Sequence, residues 1–124
     1  MTTVEDLLAQ ARGRLDRLAP EAARDAVAAG SVLVDIRAES QRSQDGVVPD
    51  SVYIPRNVLE WRCDPASESR DERLASGRRI IVMCDAGYQS SLAAATLRYL
   101  GVDATDMDGG YQAWRAAGLP VRPL

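Results

Sequence analysis

Apolar positions along the chain alternate between helical spacing and short continuous runs. Helical spacing over residues 3–18, with Thr3 as N-cap and Asp6 three residues later, predicts an amphipathic helix. Pro20 opens a second helix, which Gly30 ends. Strands are predicted at residues 31–37, 51–55, 79–83 and 102–107. Further helices are predicted at residues 56–62, 70–76, 90–100 and 111–117, and the polar stretch 38–50 is interpreted as a loop.

This alternation of strands and helices predicts an α/β fold. The centre of the first strand, Val32-Leu33-Val34, is continuously apolar, as in a parallel sheet that is covered on both faces. A chain of 124 residues fits one domain, which we place at residues 20–124 with residues 1–19 as an N-terminal helical extension. Ligands of such sheets bind beyond the carboxyl ends of the strands.

Cys84 lies at such an end, between the strand of residues 79–83 and the helix that begins near Ser90. Backbone N–H groups in the turn and in the first helical turn have no partners within the helix, so they can point toward the sulfur. That arrangement favours the thiolate, which is the nucleophilic form of cysteine. We interpret Cys84 as a nucleophile; the alternative is a buried, inert thiol.

The composition narrows the chemistry that can support this cysteine. The chain has no histidine, and all 15 basic residues are arginine. Catalysis by Ser-His or Cys-His pairs, histidine-ligated metals, Schiff-base chemistry and P-loop lysines are therefore excluded. The net charge of −3 gives no basic surface for nucleic acid. No cofactor is expected, so backbone dipoles and the local electrostatic field would have to activate the Cys84 thiol.

Neither a membrane span nor a secretory signal is evident in the sequence. There is no apolar run of membrane-spanning length, and the N-terminus lacks a basic segment followed by an apolar one. A cytoplasmic location and free thiols are therefore expected for a chain with two cysteines. The oligomeric state stays open.

Four sequence segments, in this order, resemble the rhodanese domain, a family of single-domain sulfurtransferases. They are Val34-Asp35-Ile36-Arg37, Val48-Pro49-Asp50-Ser51-Val52-Tyr53-Ile54-Pro55, the Cys84 loop, and Asp108-Gly109-Gly110-Tyr111-Gln112-Ala113-Trp114 running on to Gly118-Leu119-Pro120-Val121. The resemblance covers roughly residues 20–121. It implies about five parallel strands with flanking helices.

The resemblance also implies a chemistry. Cys84 would take a sulfane sulfur from a small donor or a protein persulfide, carry it as a persulfide, and pass it to a thiol or another nucleophile. The substrate-binding loop would be Asp85, Ala86, Gly87, Tyr88, Gln89 and Ser90.

The loop departs from the family in its charge. Many active members have a basic residue after the cysteine and an arginine at the position of Gln89, whereas this chain has Asp85 and Gln89. Val48 stands where the family often has a histidine. Losing one arginine–anion contact typically costs about 1.5–3 kcal/mol, so we expect poor use of thiosulfate and better use of a neutral or protein-bound persulfide. Asp85 either tunes the substrate or is a solvated loop charge.

Other polar residues are candidates for supporting roles. Asp35 and Arg37 are predicted to form a structural ion pair that fixes the loop geometry. Arg56 and Arg62 follow the second strand, and either could replace the missing loop charge or simply be solvated. Cys63 is a resolving partner of Cys84 or an incidental thiol.

Two further functions are weighed against sulfur transfer. The first is a catalytically weak binding or regulatory module, which the acidic Asp85 and neutral Gln89 favour. The second is a related cysteine phosphatase. The loops of those enzymes are one residue longer and end in an arginine, whereas here no arginine follows Cys84 before Arg98, so this alternative is disfavoured.

Overall fold

A parallel sheet forms the centre of residues 2–124, which are the residues that the computed structural model describes. This part of the chain contains four sheet strands in the order β2-β1-β3-β4, namely β1 (Val32–Asp35), β2 (Val52–Tyr53), β3 (Ile80–Met83) and β4 (Ala104–Asp106). Val34 of β1 pairs with Val52 on one side and with Val82 on the other. Every residue of β1 and β3 is buried, as the continuous apolar runs predict.

Helices cover both faces of the sheet. They are α1 (Val4–Arg12), α2 (Pro20–Ala28), α3 (Glu39–Asp45), α4 (Leu59–Cys63), which follows a 3-10 turn at Arg56–Val58, α5 (Gln89–Tyr99) and α6 (Gly110–Ala116). One apolar cluster joins the sheet to α4 and α5 through Leu59 and Leu97. The other cluster joins the opposite face to α2 and α6 through Ala23 and Trp114. The predicted α/β architecture is confirmed.

The expected fifth strand is reduced to a single bridge at Leu18. The Leu18 N–H donates to the Asp106 carbonyl at 3.0 Å, and its own carbonyl accepts from the Asp108 N–H at 2.8 Å. Pro20 starts α2 two residues later, so the chain cannot continue as a strand. The described chain therefore has four strands with one more pairing beside β4, instead of about five strands.

Three predicted segments differ from the structure. Residues 38–50, interpreted as a loop, contain α3. This helix has no buried residue, and it contacts the sheet through Arg42, whose guanidinium lies 3.9 Å from the centre of the Tyr53 ring. Residues 70–76 form turns instead of a helix, because the Asp71 carboxylate accepts from the Arg73 N–H at 3.0 Å and competes with helical bonding. The first helix ends at Arg12 and not at residue 18, although its predicted Thr3–Asp6 capping box is confirmed.

Over residues 2–124 the structure has no helix of the length and apolarity that crossing a membrane requires.

Candidate active site at Cys84

Cys84 follows β3 directly, at the carboxyl end of the sheet, and 6% of the residue is exposed. Its Sγ accepts hydrogen bonds from the Gly87 N–H at 3.1 Å and from the Ser90 N–H at 3.3 Å. The loop therefore curls around the sulfur, with backbone donors directed at it. Such donors stabilise negative charge on sulfur without a side-chain base.

The N-terminus of α6 holds the first half of this loop in place. The Tyr111 N–H donates to the Cys84 carbonyl at 2.8 Å, and the Gln112 N–H donates to the Asp85 carbonyl at 3.1 Å. Because a trans peptide directs its carbonyl and its N–H to opposite sides, carbonyls that point toward α6 turn the following N–H groups away from it. Gly110, at φ +62°, permits this approach, since a Cβ there would lie 2.5 Å from the Cys84 carbonyl oxygen.

The second half of the loop depends on Gly87, which has a φ of +88°. A Cβ at this position would lie 2.7 Å from the Gly109 nitrogen. The Gly87 carbonyl accepts from Arg17 Nη2 at 2.8 Å and from Arg12 Nη2 at 2.9 Å. Two arginines from the N-terminal segment therefore contact a single carbonyl of the cysteine loop.

Asp106, at the end of β4, joins the loop to Arg17 and is fully buried. Its carboxylate accepts from the hydroxyls of Ser90 at 2.7 Å and Ser91 at 2.8 Å, and from Arg17 Nε at 2.9 Å. Burial alone would lower the pKa of the Arg17 guanidinium. Its hydrogen bonds and ion pair with Asp106, with contributions from Asp108 and from the charge of Cys84, raise that pKa above its ordinary value. Arg17 is therefore a permanent cation beside the loop.

A pocket of about 480 Å³ opens in front of the sulfur, between the loop and the segments that follow β1 and β2. Its lining includes the loop residues Cys84, Asp85, Ala86, Tyr88 and Gln89, and across from them Arg37, Gln41, Tyr53, Arg56 and Asn57. Burial, more than any neighbouring charge, raises the pKa of Tyr53, so this phenol stays protonated. The wall opposite the loop therefore combines this phenol, two arginines and two amides with the apolar residues Ile36, Ala38 and Pro55.

The side chains of the cysteine loop lie partly at the pocket and partly on its opposite side, next to Asp106. Asp85 lines the pocket, and its Oδ1 accepts from the Gln112 side-chain amide at 2.9 Å. Gln89 is exposed, and Tyr88 is 62% exposed, so both form the rim. The Ser90 hydroxyl is directed to Asp106 and not to substrate. Among the loop side chains, the acidic Asp85 is the charged group at the pocket.

Asp35 and Arg37 form the predicted ion pair, and both are buried. Arg37 Nε and Nη2 donate to the two oxygens of Asp35 at 3.1 and 2.9 Å. The same Nη2 donates to the Gly46 carbonyl at 2.9 Å, and the guanidinium lies 3.8 Å from the centre of the Tyr111 ring. This arrangement joins the end of β1 to α6, which in turn holds the cysteine loop.

The two arginines after β2 have different positions. Arg56 lines the pocket, where Nη1 pairs with the Glu60 carboxylate at 2.9 Å. Arg62 is absent from the pocket lining; its Nη1 donates to the Ser69 carbonyl at 2.8 Å and its Nη2 lies 3.7 Å from Asp71. The structure therefore brings Arg56 to the site of Cys84 and leaves Arg62 with the turns of residues 64–76.

Cys63 lies in the core at the end of α4 with no exposed surface. Burial, together with the nearby charges of Glu60 and Asp71, raises the pKa of this thiol to about 12. We expect iodoacetamide at neutral pH to label Cys84 in the folded protein and to leave Cys63 unlabelled until the chain is unfolded. Peptide mapping after labelling with and without denaturant measures this difference. Equal labelling of both cysteines in the folded protein would contradict it.

Sequence reasoning missed Arg12, Arg17 and Asp106. Asp106 gave one signal, since it is an acidic residue at the carboxyl end of a predicted buried strand. The arginines gave none, because the position of Arg12 depends on how α1 packs against α5 and that of Arg17 depends on the pairing of Leu18 beside β4. Within residues 2–124 no group of three or more cysteine and acidic side chains is arranged to hold a metal ion.

A parallel α/β sheet with a loop cysteine surrounded by backbone N–H groups defines a class of cysteine-dependent sites that need no metal or imidazole. The sequence model of the rhodanese-like domain matches residues 19–117. The chain therefore belongs to the rhodanese-like domain family.

Solved structures agree with this assignment. A Rhodopseudomonas palustris protein of unknown function, described as a possible tyrosine phosphatase, is 28% identical with a TM-score of 0.91, and the match covers 98% of this chain and 96% of that one. A thiosulfate sulfurtransferase from Pseudomonas aeruginosa is 26% identical with a TM-score of 0.72, over 89% of this chain and 20% of that one.

A rhodanese-like domain protein from Staphylococcus aureus, at 19% identity and a TM-score of 0.65, matches 87% of this chain and 99% of its own length, and it agrees in fold. No curated protein matches the sequence.

Proposed function

We propose that this protein is a sulfurtransferase that carries a sulfane sulfur as a persulfide on Cys84. The observation that carries the proposal is the pair of backbone N–H donors, from Gly87 and Ser90, on a sulfur that borders an open pocket. These donors stabilise a thiolate and then a persulfide anion. Family membership and the sulfurtransferase among the similar structures support the same chemistry.

The reaction proceeds in two displacements at sulfur. The Cys84 thiolate attacks the outer sulfur of a persulfide donor; a new S–S bond forms, the donor's S–S bond breaks, and its electron pair leaves with the donor thiolate. An acceptor thiolate then attacks the outer sulfur of the Cys84 persulfide, and Cys84 leaves as a thiolate. Each step transfers one sulfur atom and conserves charge, so no redox partner is needed. With thiosulfate as the donor, the leaving group is sulfite.

The charge of the pocket favours persulfide donors of low charge. Asp85 adds a negative charge to the lining, and the one arginine head group there outside the Asp35 ion pair, Arg56, is paired with Glu60. A doubly charged donor therefore meets little uncompensated positive charge at the pocket mouth. Release of the donor's thiol from cysteine persulfide and of sulfite from thiosulfate, measured in parallel with a thiol acceptor, tests the proposal. Turnover with neither donor would overturn it.

Replacing Arg56 by methionine should weaken an anionic donor. Arg56 borders the pocket but is shared with Glu60, so we expect kcat/KM for thiosulfate to fall roughly threefold to tenfold. Arg62→Met is the matched control, since it removes the same charge from the same segment but outside the pocket. Steady-state kinetics of the two variants measure the effect. Equal losses of kcat/KM in both variants would show that Arg56 does not contact the donor.

Hydrolysis of phosphate esters is the second candidate, because one similar structure is described as a possible tyrosine phosphatase. The loop from Cys84 to Ser90 contains no arginine to bind a phosphate dianion, and its charged side chain is the acidic Asp85. Both features disfavour this chemistry. Release of phosphate from an aryl phosphate that is lost in Cys84→Ser would favour it instead.

A further inference from the structure

We propose that Arg12 and Arg17 position the Cys84 loop and that Arg12 supplies a positive charge that the loop's own side chains lack, so that residues 3–18 form part of the active site. This inference rests on the proposed function of Cys84 and assigns a role to a segment outside residues 19–117, which the family model matches. Both arginines bind the Gly87 carbonyl from the side of α1, through Nη2 atoms at 2.9 and 2.8 Å.

The first argument comes from the geometry of one peptide group. The Gly87–Tyr88 peptide has its carbonyl oxygen fixed by two guanidinium donors, and Arg12 also lies 5.5 Å from the centre of the Tyr88 ring. Since the peptide is planar and trans, the Tyr88 N–H must point to the side opposite the guanidiniums. Charged donors on a carbonyl also polarise the peptide, which makes its N–H a stronger donor. The arginines therefore fix the orientation of the Gly87–Tyr88 peptide, which lies between the two residues whose N–H groups bind the sulfur.

The second argument comes from the charge balance. The N-terminus of a helix carries a partial positive charge, so a cation beside it is unfavourable unless an anion balances it. Both arginines lie beside the start of α5. The buried Asp106 and the exposed Asp108 offset Arg17. Among residues 2–124, no carboxylate lies within ion-pairing distance of Arg12, whose Nε donates to the Ser91 hydroxyl at 3.2 Å. The charge of Arg12 therefore has no carboxylate partner next to the loop, and an anionic sulfur on Cys84 is the group that can balance it.

The third argument is that the contacts are multiple and mostly half-buried, unlike a lone surface ion pair. Arg17 bridges the Gly87 carbonyl, Asp106 and Asp108 with three different nitrogens while only 17% of its side chain is exposed. Leu18, the next residue, is bonded to the end of β4 on both of its backbone groups. The segment is thus fixed to the same strand end that carries Asp106.

Other charged groups also face Cys84 and would contribute to any pH profile of its reactivity. Those on the pocket side are Asp85, Arg37 with its partner Asp35, and Arg56 with its partner Glu60; those behind the loop are Arg12, Arg17, Asp106 and Asp108. A test must therefore change one arginine while the rest of this set stays unchanged.

The experiment compares Arg12→Met with Arg14→Met, using iodoacetamide as the probe of Cys84. Arg14 is exposed and, within the described chain, its side chain forms no hydrogen bond or ion pair, so its substitution removes the same charge without touching the loop. We expect Arg12→Met to slow alkylation of Cys84 at neutral pH about threefold to tenfold and to shift the midpoint of its pH profile upward. Arg14→Met should match the wild type, and Arg12→Lys, which keeps the charge but cannot reach both Ser91 and Gly87, should recover part of the lost rate.

A second variant keeps the test informative if Arg12→Met does not fold. Arg17→Lys keeps the charge next to Asp106, but one ammonium cannot reproduce the fork that reaches both Asp106 and Gly87, so alkylation should again slow. Thermal unfolding verifies that each variant is folded. If both variants alkylate at the rate of Arg14→Met, the inference is overturned even where sulfur transfer is intact. If the wild type takes no sulfur from cysteine persulfide while Arg12→Met still slows alkylation, the proposed function fails, and only the positioning of the Cys84 loop by Arg12 is supported.

Discussion

Replacing Cys84 by serine is expected to abolish sulfur transfer. The hydroxyl can accept the same N–H donors as the sulfur, from Gly87 and Ser90, so the loop should keep its shape. A serine oxygen, however, is not ionised near neutral pH, and no histidine exists in the chain to take its proton. We therefore expect kcat with a persulfide donor to fall by on the order of 10³-fold or more, toward the uncatalysed rate. Steady-state kinetics on the folded variant measure this loss.

The matched control for this substitution is Cys63→Ala. Cys63 is buried away from the pocket, so its removal should cost about 1 kcal/mol of unfolding free energy through a small cavity and leave kcat unchanged. Retained turnover in Cys84→Ser, or loss of turnover in folded Cys63→Ala, would show that Cys84 is not the carrier. The pair separates the proposed nucleophile from the other thiol of the chain.

Replacing Gly110 by alanine is expected to have the largest effect on stability. The residue has a φ of +62°, and a Cβ would lie 2.5 Å from the Cys84 carbonyl oxygen and 2.6 Å from the Asp85 carbonyl. Both neighbours are backbone atoms, so the loop or the start of α6 must move. We expect a loss of about 2–5 kcal/mol of unfolding free energy, from backbone strain together with overpacking. Denaturant unfolding measures the change.

Gly118→Ala is the control for the backbone contribution. Gly118 has a similar φ of +74°, but a Cβ there would meet nothing within 4 Å. Its substitution should therefore cost about 1–2 kcal/mol from the left-handed conformation alone. The excess in Gly110→Ala reports the contact with the cysteine loop, and we also expect slower Cys84 alkylation in that variant only. Equal losses in the two variants would contradict the close packing of α6 against the loop.

The sequence predicted those parts of the fold that local patterns determine. The apolar runs around Val34 and Val82 located β1 and β3, because strands buried on both faces need continuous apolar side chains. Pro20 correctly marked the first turn of α2. The position of Cys84 in a strand-to-helix loop could be predicted because the end of a buried strand and the start of a helix flank it within a few residues. These signals require no knowledge of which elements meet in space.

Elements that depend on polar or single-residue contacts could not be predicted in the same way. Helix α3 has no apolar face, and it is fixed by Arg42, which bonds to Asp35 and stacks on Tyr53. The pairing beside β4 involves Leu18 alone, so no run of apolar residues predicts it. Neither feature produces the periodic apolar positions from which a strand or a helix is predicted.

The same limit applies to the site. The sequence led us to look for the missing positive charge at Arg56 or Arg62, which follow β2 closely. Arg62 lies outside the pocket and Arg56 is shared with Glu60, whereas Arg12 and Arg17 contact the loop across about 70 residues of chain. These contacts depend on the packing of α1 against α5 and on the pairing of Leu18 beside β4, and neither can be predicted from spacing along the chain.

Whole-protein mass spectrometry after exposure to cysteine persulfide tests the central claim most directly. The wild-type chain should gain the mass of one sulfur atom, the adduct should map to the peptide that contains Cys84, and a thiol acceptor should remove it. The Cys84→Ser variant should gain nothing under the same conditions, while Cys63→Ala should behave as the wild type does. A wild-type chain that gains no sulfur, or an adduct that persists in Cys84→Ser, would contradict the claim that Cys84 carries the sulfane sulfur.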